Sequence, residues 1–269
     1  MRRPTLRNQL AANLSTLFTE KPFIDRFRAA QQAGFAAVEI QYPYAISAED
    51  VRSHLDVQGL QLVLFNAPAG DADEKGFACS PRCSSNFRAS IDRAIDYAQE
   101  VRCPRIHVLC GRVSDDPNRA SGFDRAADRF AWAVERAGKH GIEIVVEALN
   151  QKDTPGYLLR HIPDAVRFIQ AVASRVNVPR HPGLLLDVFH AARNGEPIVH
   201  CLERYNDIIA HIQIADHPDR GAPGTGTLPW NEIFSFLNRT KYNGWIGCEY
   251  LDASVTEQSL TWRDTYLSP

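Results

Sequence analysis

Eight times along the chain a short apolar, β-branched run gives way to a stretch with helical periodicity. The runs are QLAANLS at 9–15, AAVEIQ at 36–41, LQLVLFN at 60–66 and RIHVLCG at 105–111, then IEIVVEA at 142–148, GLLLDVF at 183–189, IIAHIQI at 208–214 and GWIGCEY at 244–250. Between the first two, PFIDRFRAAQQAG brings Phe23, Phe27, Ala30 and Ala33 to one side of a helix that Gly34 can end. FDRAADRFAWAVERAGKHG does the same with Phe123, Ala127, Phe130, Val134 and Ala137. PDAVRFIQAVASRV and LPWNEIFSFLNR each carry Pro near the start, where its missing N–H costs nothing, and SVTEQSLTWRDTYL supplies the last helix. Eight strand–helix repeats predict an α/β fold of one domain over 1–269, a (β/α)8 barrel. A doubly wound open sheet would need a glycine-rich phosphate turn after an early strand, and GTGT at 224–227 does not satisfy G-x-G-x-x-G.

Charge narrows the partners. The formal net charge is -2, so no basic field recruits nucleic acid or an anionic membrane surface. No apolar run approaches a membrane span, and Asn8, Gln9 and Asn13 break any secretory core at the start. A cytoplasmic protein is expected, with homo-oligomerisation left open. Six cysteines are scattered along the chain; Cys79 and Cys83 lack the second Cys/His pair that a zinc site requires and read as loop thiols.

In a (β/α)8 barrel chemistry gathers at the C-terminal strand ends. Alternation along each strand sets Glu147 on the face of Val145, Asp187 on that of Leu185 and Glu249 on that of Gly247. Gln213 shares its face with His211 and stands between two outward isoleucines. Each residue alone has an ordinary explanation: a salt-bridged Glu, or an Asp capping the next helix. Together, four successive strands deliver Glu, Asp, Gln and Glu into one mouth at matching depth. Three converging carboxylates repel one another, and a divalent cation resolves the conflict. Oxygen donors alone suit a hard ion such as Mg²⁺ or Mn²⁺, and the Gln carbonyl adds a ligand without a fourth charge. Glu147 and Glu249 would then flank a substrate carbon that bears a proton next to a polarised carbonyl. That is isomerase or epimerase chemistry.

ANLSTLF (12–18), FNAPAGD (65–71), LLLDVFH (184–190), HIQIADHPDRGAPGTG (211–226) and YNGWIGCEY (242–250) resemble the hydroxypyruvate isomerase family, within the xylose-isomerase-like TIM barrels. The resemblance runs nearly end to end. It implies a divalent metal on Glu147, Asp187, Gln213 and Glu249, an acid/base pair of Glu147 and Glu249, and interconversion of hydroxypyruvate with tartronate semialdehyde. Related sugar epimerases carry His at the Gln213 position, so Gln favours a small hydroxy-oxo acid over a free ketose. Two departures touch substrate choice: EALN stands where the family often has E-P-I-N, and LLLDVFH is less polar than its usual counterpart. Close members act on 2-oxo-tetronates, one carbon longer, so a 2-oxo-tetronate isomerase and a ketose 3-epimerase are the alternatives.

A carboxylate substrate calls for a fork of donors, which assigns Arg220 and His190 to substrate binding. His107 is expected to be a satisfied barrel histidine, and His211 to donate to Asp187 or Glu249. Glu39, Gln41 and Asn66 end their strands without an assigned role. The long segment 67–86 has the length of a lid, with Phe77 as the residue that would cover the site. Two rivals belong to other classes. A nuclease of the same fold would need several strand-end histidines and a basic face, and a non-catalytic sugar-acid or metal binder would use the same ligands without turnover.

Overall fold

The computed structural model describes residues 5–71, 73–113, 119–177, 181–240, 242–251 and 255–267. Eight strands close into one parallel barrel in sequence order. They are β1 Leu10–Asn13, β2 Ala37–Ile40, β3 Gln61–Asn66, β4 Arg105–His107, β5 Glu143–Glu147, β6 Gly183–Asp187, β7 Ile209–Ile214 and β8 Ile246–Cys248. Each lies inside the run that predicts it. The helices outside are α1 Phe23–Gln32, α2 Ala48–Gln58, α3 Ser84–Val101, α4 Arg119–Gly138 and α5 Ile162–Ala173, followed by α6 Val188–Arg193, α7 Ile198–Tyr205, α8 Trp230–Thr240, α9 Thr256–Ser259 and α10 Trp262–Tyr266.

The C-terminal stretch departs from expectation. It forms two short helices, α9 and α10, with Leu260 and Thr261 between them; Ser254, where the predicted helix would begin, lies outside the described residues. Ser259 and Trp262 both reach the hydroxyl of buried Tyr250, and two contacts on one phenol bring the helices to it separately.

Two apolar layers follow from strand alternation. Ile144, Val146, Leu184, Leu186, Ile212, Ile214, Ile246 and Cys248 face outward into one large core with α4, α5 and the other helices. Val145 and Leu185 face inward and pack with Leu64 and Ala210 on the barrel axis. Beneath them Ala11, Ala37, Val63 and Trp245 plug the lower end. The interior is solid below, so only the upper mouth can hold a ligand.

Strand register fixes how side chains stack in that mouth. Advancing one residue per strand from Glu147, through pairings such as Glu147 with Leu185, Gln213 with Gly247 and Asn66 with His107, leads round the barrel and back to Glu147. Inward residues of alternate strands therefore share a layer, as a shear of about 8 requires. The odd strands place Asn13, Asn66, Glu147 and Gln213 together. Just beneath lie Glu39, His107, Leu185 and Gly247 of the even strands, and just above lie Gln41, Leu109, Asp187 and Glu249. The four residues expected at matching depth thus occupy two adjacent layers: Asp187 and Glu249 stand one step above Glu147 and Gln213.

Candidate active site

A cavity of about 210 Å³ opens in the mouth, lined among others by Gln41, Asn66, His107, Glu147, Gln213 and Glu249 from the barrel layers. His190 lines it from α6 and Arg220 from the loop after β7, and Tyr42, Lys75 and Asp153 from other loops. Asp187 stands at its edge, buried, with Oδ2 3.5 Å from Arg220.

Asp187 has two duties, one per oxygen. Oδ1 caps α6, accepting the backbone N–H of Phe189 at 2.7 Å and of His190 at 3.1 Å. The other oxygen, Oδ2, lies toward Arg220 Nη2 and His190 Nε2, two residues that line the cavity. The cap engages Oδ1 alone and leaves Oδ2 free of backbone partners.

Gln213 is turned by two carboxylates. Its Nε2 donates to Glu39 Oε1 at 2.8 Å and to Glu249 Oε2 at 2.5 Å. With the amide hydrogens so engaged, the carbonyl oxygen is what Gln213 can offer to the cavity. Asn13 braces the same pair, donating to Glu39 Oε1 and Glu249 Oε2 at 2.9 Å each. Gln41 donates to the other oxygen of Glu249 at 3.1 Å.

Glu39 is a fourth acidic group that carried no role in the sequence. It is 1% exposed, and His211 completes its hydrogen bonds at 2.8 Å. His211 therefore serves Glu39, whereas Asp187 or Glu249 was its expected partner; the register puts it one layer too deep to reach them. One signal pointed to Glu39. Gly247, an inward glycine on a barrel strand, leaves room for a neighbour, and its Cβ would lie 2.2 Å from Glu39 Oε2.

Burial dominates the electrostatics. It pushes Glu249 up to about 8, with Asp187 and Glu39 adding to the rise and Arg220 opposing it. Burial, then Asp187 and Glu249, holds Glu147 well above the usual carboxylate range. The nearest fixed positive charge is Arg220, whose Nη2 bridges Asp187 and Glu249 while its guanidinium lies over the Phe189 ring at 5.2 Å. Arg220 meets two of these acids directly, and burial with mutual repulsion holds Glu147 and Glu249 toward their protonated forms. The donor chemistry, carboxylates plus an amide oxygen, fits a hard divalent cation.

Glu147, Asp187 and His190 each place a ligand atom within 4.8 Å of the others, a grouping that could hold a metal ion. The ring of His190 argues that it contributes otherwise. Its Nδ1 faces the backbone N–H of Asn150 at 3.2 Å and the Asn150 side-chain nitrogen at 2.7 Å, so it accepts there. Burial lowers His190 to about 4, leaving the ring neutral with its proton on Nε2. That nitrogen, 3.9 Å from Asp187 Oδ2, offers a donor rather than a lone pair. His107 is the converse. Its Nδ1 donates to Asn66 Oδ1 at 3.1 Å, burial lowers it to about 3, and Nε2 has no protein partner among the described residues. The expectation of a satisfied barrel histidine fails at that atom.

The loop after β7 is organised by Asp216. This buried carboxylate accepts the backbone N–H of His217, Gly224, Gly226 and Leu228 and the indole of Trp230. Gly226 is required, because a Cβ there would lie 2.0 Å from the His217 carbonyl oxygen. The GTGT segment thus wraps an internal carboxylate, and the loop it closes sets Arg220 over the mouth.

The segment after β3 is fastened down. Arg129 donates to the carbonyls of Phe77, Ala78 and Ser80, and Gly76 sits so close to β4's extension that a Cβ would meet the Leu109 carbonyl at 2.2 Å. Phe77, expected over the site, is buried in the outer core; Lys75 lines the cavity instead. Ala72 of this segment lies outside the described residues. All six cysteines are free; Cys79 is buried, its Sγ bonds the Arg112 carbonyl, and burial pushes its thiol up to about 11.

Residues 27–266 match the family described as xylose isomerase-like TIM barrel. The chain is 36% identical to a 2-oxo-tetronate isomerase of Cupriavidus necator over 96% of its own length and 98% of the relative's. It is 34% identical to a hydroxypyruvate isomerase of Escherichia coli over 96% and 99%. A crystal structure from Brucella melitensis described as a family 2 AP endonuclease superposes with a TM-score of 0.90 at 36% identity, covering 97% of this chain and all of the other. No helix among the described residues is long and apolar enough to cross a membrane.

Proposed function

The chain belongs to the xylose isomerase-like TIM-barrel family and is an isomerase of the hydroxypyruvate isomerase type; on that premise we propose a metal-dependent exchange of carbonyl and hydroxyl between C2 and C3 of a small 2-oxo acid. Hydroxypyruvate giving tartronate semialdehyde is the shortest case. The observation that carries this reading is the pair of buried glutamates, Glu147 and Glu249, both lining one cavity and both held above the usual carboxylate range by burial.

Glu147, Asp187, Gln213 and Glu249 are the residues that would hold a divalent cation, Mg²⁺ or Mn²⁺. When bound, such an ion would polarise the substrate carbonyl and so acidify the hydroxyl-bearing carbon beside it. One glutamate takes the proton from that carbon, and the electron pair passes into an enediolate. The other returns a proton to the adjacent carbon while the hydroxyl proton passes from the C3 oxygen to the C2 oxygen, so the substrate is isomerised with no net change in atoms. Arg220 and the Nε2–H of His190 offer donors to the carboxylate end, which orients the reacting carbons. Proton transfer between carbons needs no external oxidant, and a metabolic enzyme of the cytoplasm with free cysteines fits this chemistry.

The endonuclease description of the Brucella structure prompts a second reading, phosphodiester cleavage. A 210 Å³ cavity and a net charge of -2 favour a metabolite of a few carbons over a polyanion. Deuterium exchange decides between isomerase and binder. Hydroxypyruvate incubated in D₂O with metal-stripped protein should stay protonated, and adding Mg²⁺ should produce deuteration at C3 with tartronate semialdehyde appearing. Exchange absent with hydroxypyruvate, with a 2-oxo-tetronate and with a ketose would leave a non-catalytic binder. Retention on heparin at physiological salt would revive the nuclease.

A further inference from the structure

His107 and His190 line one cavity, and an asparagine places the proton on each ring. Asn66 presents its oxygen to His107 Nδ1, which therefore donates. Asn150 does the reverse. Its side-chain nitrogen stands 2.7 Å from His190 Nδ1, and its backbone N–H points at the same atom from 3.2 Å. The surroundings of the Asn150 amide set its orientation. Oδ1 accepts the backbone N–H of Lys152 at 3.1 Å and of Asp153 at 2.9 Å, while Nδ2 donates to Asp153 Oδ2 at 2.9 Å. Turned over, the amide would set its hydrogens against two N–H groups and its oxygen against a carboxylate. Asp153 is held in turn by Arg193 at 3.1 Å, and Arg193 by the Pro218 carbonyl at 3.0 Å.

A neutral imidazole carries one N–H, and two donors converging on Nδ1 leave its proton on Nε2. Asn150 is 0% exposed, so water does not compete for its amide. Nε2 is then a donor toward an acceptor in the cavity and lacks the lone pair that a metal would need. An aspartate at 150 would reverse this, because a carboxylate oxygen facing Nδ1 demands the proton there and frees the lone pair of Nε2.

We propose that Asn150, backed by Asp153 and Arg193, is a positioning residue that fixes His190 as the Nε2–H tautomer, which makes His190 a donor to a carboxylate ligand and keeps it out of the metal's coordination. From the isomerase reading the proposal takes only that the ligand ends in a carboxylate. The choice matters because Glu147, Asp187 and His190 bring ligand atoms within 4.8 Å of one another, a grouping that the opposite tautomer would complete. Asn150 thus decides between two uses of one side chain.

The test exchanges two side chains in the full chain, combining Asn150→Asp with Asp153→Asn. Net charge is kept and the side chain at 153 can still donate to that at 150, but an oxygen replaces the N–H that faces His190 Nδ1. Nitrogen NMR of the imidazole at pH 8 reads the tautomer directly. The proton should sit on Nε2 in the wild type and in Asp153→Asn alone, and on Nδ1 in the exchange variant. With metal-loaded protein, Kd for glycerate, a carboxylate that cannot isomerise, should weaken about 10–100-fold in the exchange variant, the worth of a hydrogen bond to a charged group, and change less than about threefold in Asp153→Asn. Mn²⁺ affinity should not fall. A wild-type proton on Nδ1, a tautomer that stays put in the exchange variant, or a moved tautomer with unchanged glycerate binding would each overturn the proposal. So would a parallel fall in Mn²⁺ affinity, since Asn150 would then be bracing the whole site. If the tautomer and glycerate binding respond as expected while no 2-oxo acid turns over, the role of Asn150 stands and the isomerase reading fails.

Discussion

The carboxylate of Glu39 fills the space that a side chain at Gly247 would need: a Cβ on Gly247 would lie 2.2 Å from Oε2 and 2.5 Å from Oε1. The two residues belong to strands on either side of β1, and Glu39 reaches across to the face of β8. Gly247→Ala should therefore displace Glu39 from Asn13, His211 and Gln213 at once. We expect a loss of about 2–3 kcal/mol in unfolding free energy from overpacking and broken charge-assisted hydrogen bonds. Denaturant titration measures it. A change below about 0.5 kcal/mol would mean that Glu39 can move aside freely.

Gln213→Leu removes the amide that donates to both Glu39 and Glu249. Two buried carboxylates then lose a donor each. Metal-stripped protein should be destabilised by about 2–3 kcal/mol, and Mn²⁺ affinity should fall at least tenfold, about the loss seen when a metal site's support is removed. Unaltered Mn²⁺ affinity would take Gln213 out of the ligand set.

Glu249→Gln keeps the size of the side chain and removes its proton chemistry. Turnover and deuterium exchange should fall by about 10²–10⁴-fold, with substrate still bound in calorimetry. A variant that turned over normally would exclude Glu249 from the acid/base pair.

The raised position of Glu249, up to about 8 from burial, has a definite sign. Between the ordinary carboxylate range and about 8 the folded, metal-free protein holds a proton that the unfolded chain has lost. Its stability should fall as pH rises through that window. A cation on Glu249 must displace this proton, so Mn²⁺ uptake at pH 7 should release protons and tighten as pH rises, with Glu147, raised by the same burial, adding to the release. Calorimetry in two buffers of different ionisation enthalpy counts the protons. None released at pH 7 would show that Glu249 is already ionised there or takes no part in binding.

Much of this arrangement is legible in the sequence because it depends on period two. Counting alternate residues from Val145, Leu185 and His211 is enough to aim Glu147, Asp187 and Gln213 inward, and the structure aims them so. What alternation cannot supply is the stagger between strands. That is why Glu249 and Asp187 stand a layer higher than counting suggested, and why His211 meets Glu39. Loop geometry was opaque for a different reason. Asp216 gathers donors spread from residue 217 to 230, and Phe77 and Lys75 exchange inside and outside according to contacts with Arg129 and Leu109 that no local pattern encodes.

The residues assigned to proton movement and metal holding come from β5 to β8, while Asn66, His107, Lys75 and Tyr42 come from the span between β2 and β4. Asn13, Glu39 and Gln41 are the exceptions, tying the first half to the second. Such a division lets the two halves of the gene diverge at different rates. Mutations in the first half can retune which metabolite is accepted while the reaction itself is inherited unchanged, provided the three tying residues are left alone.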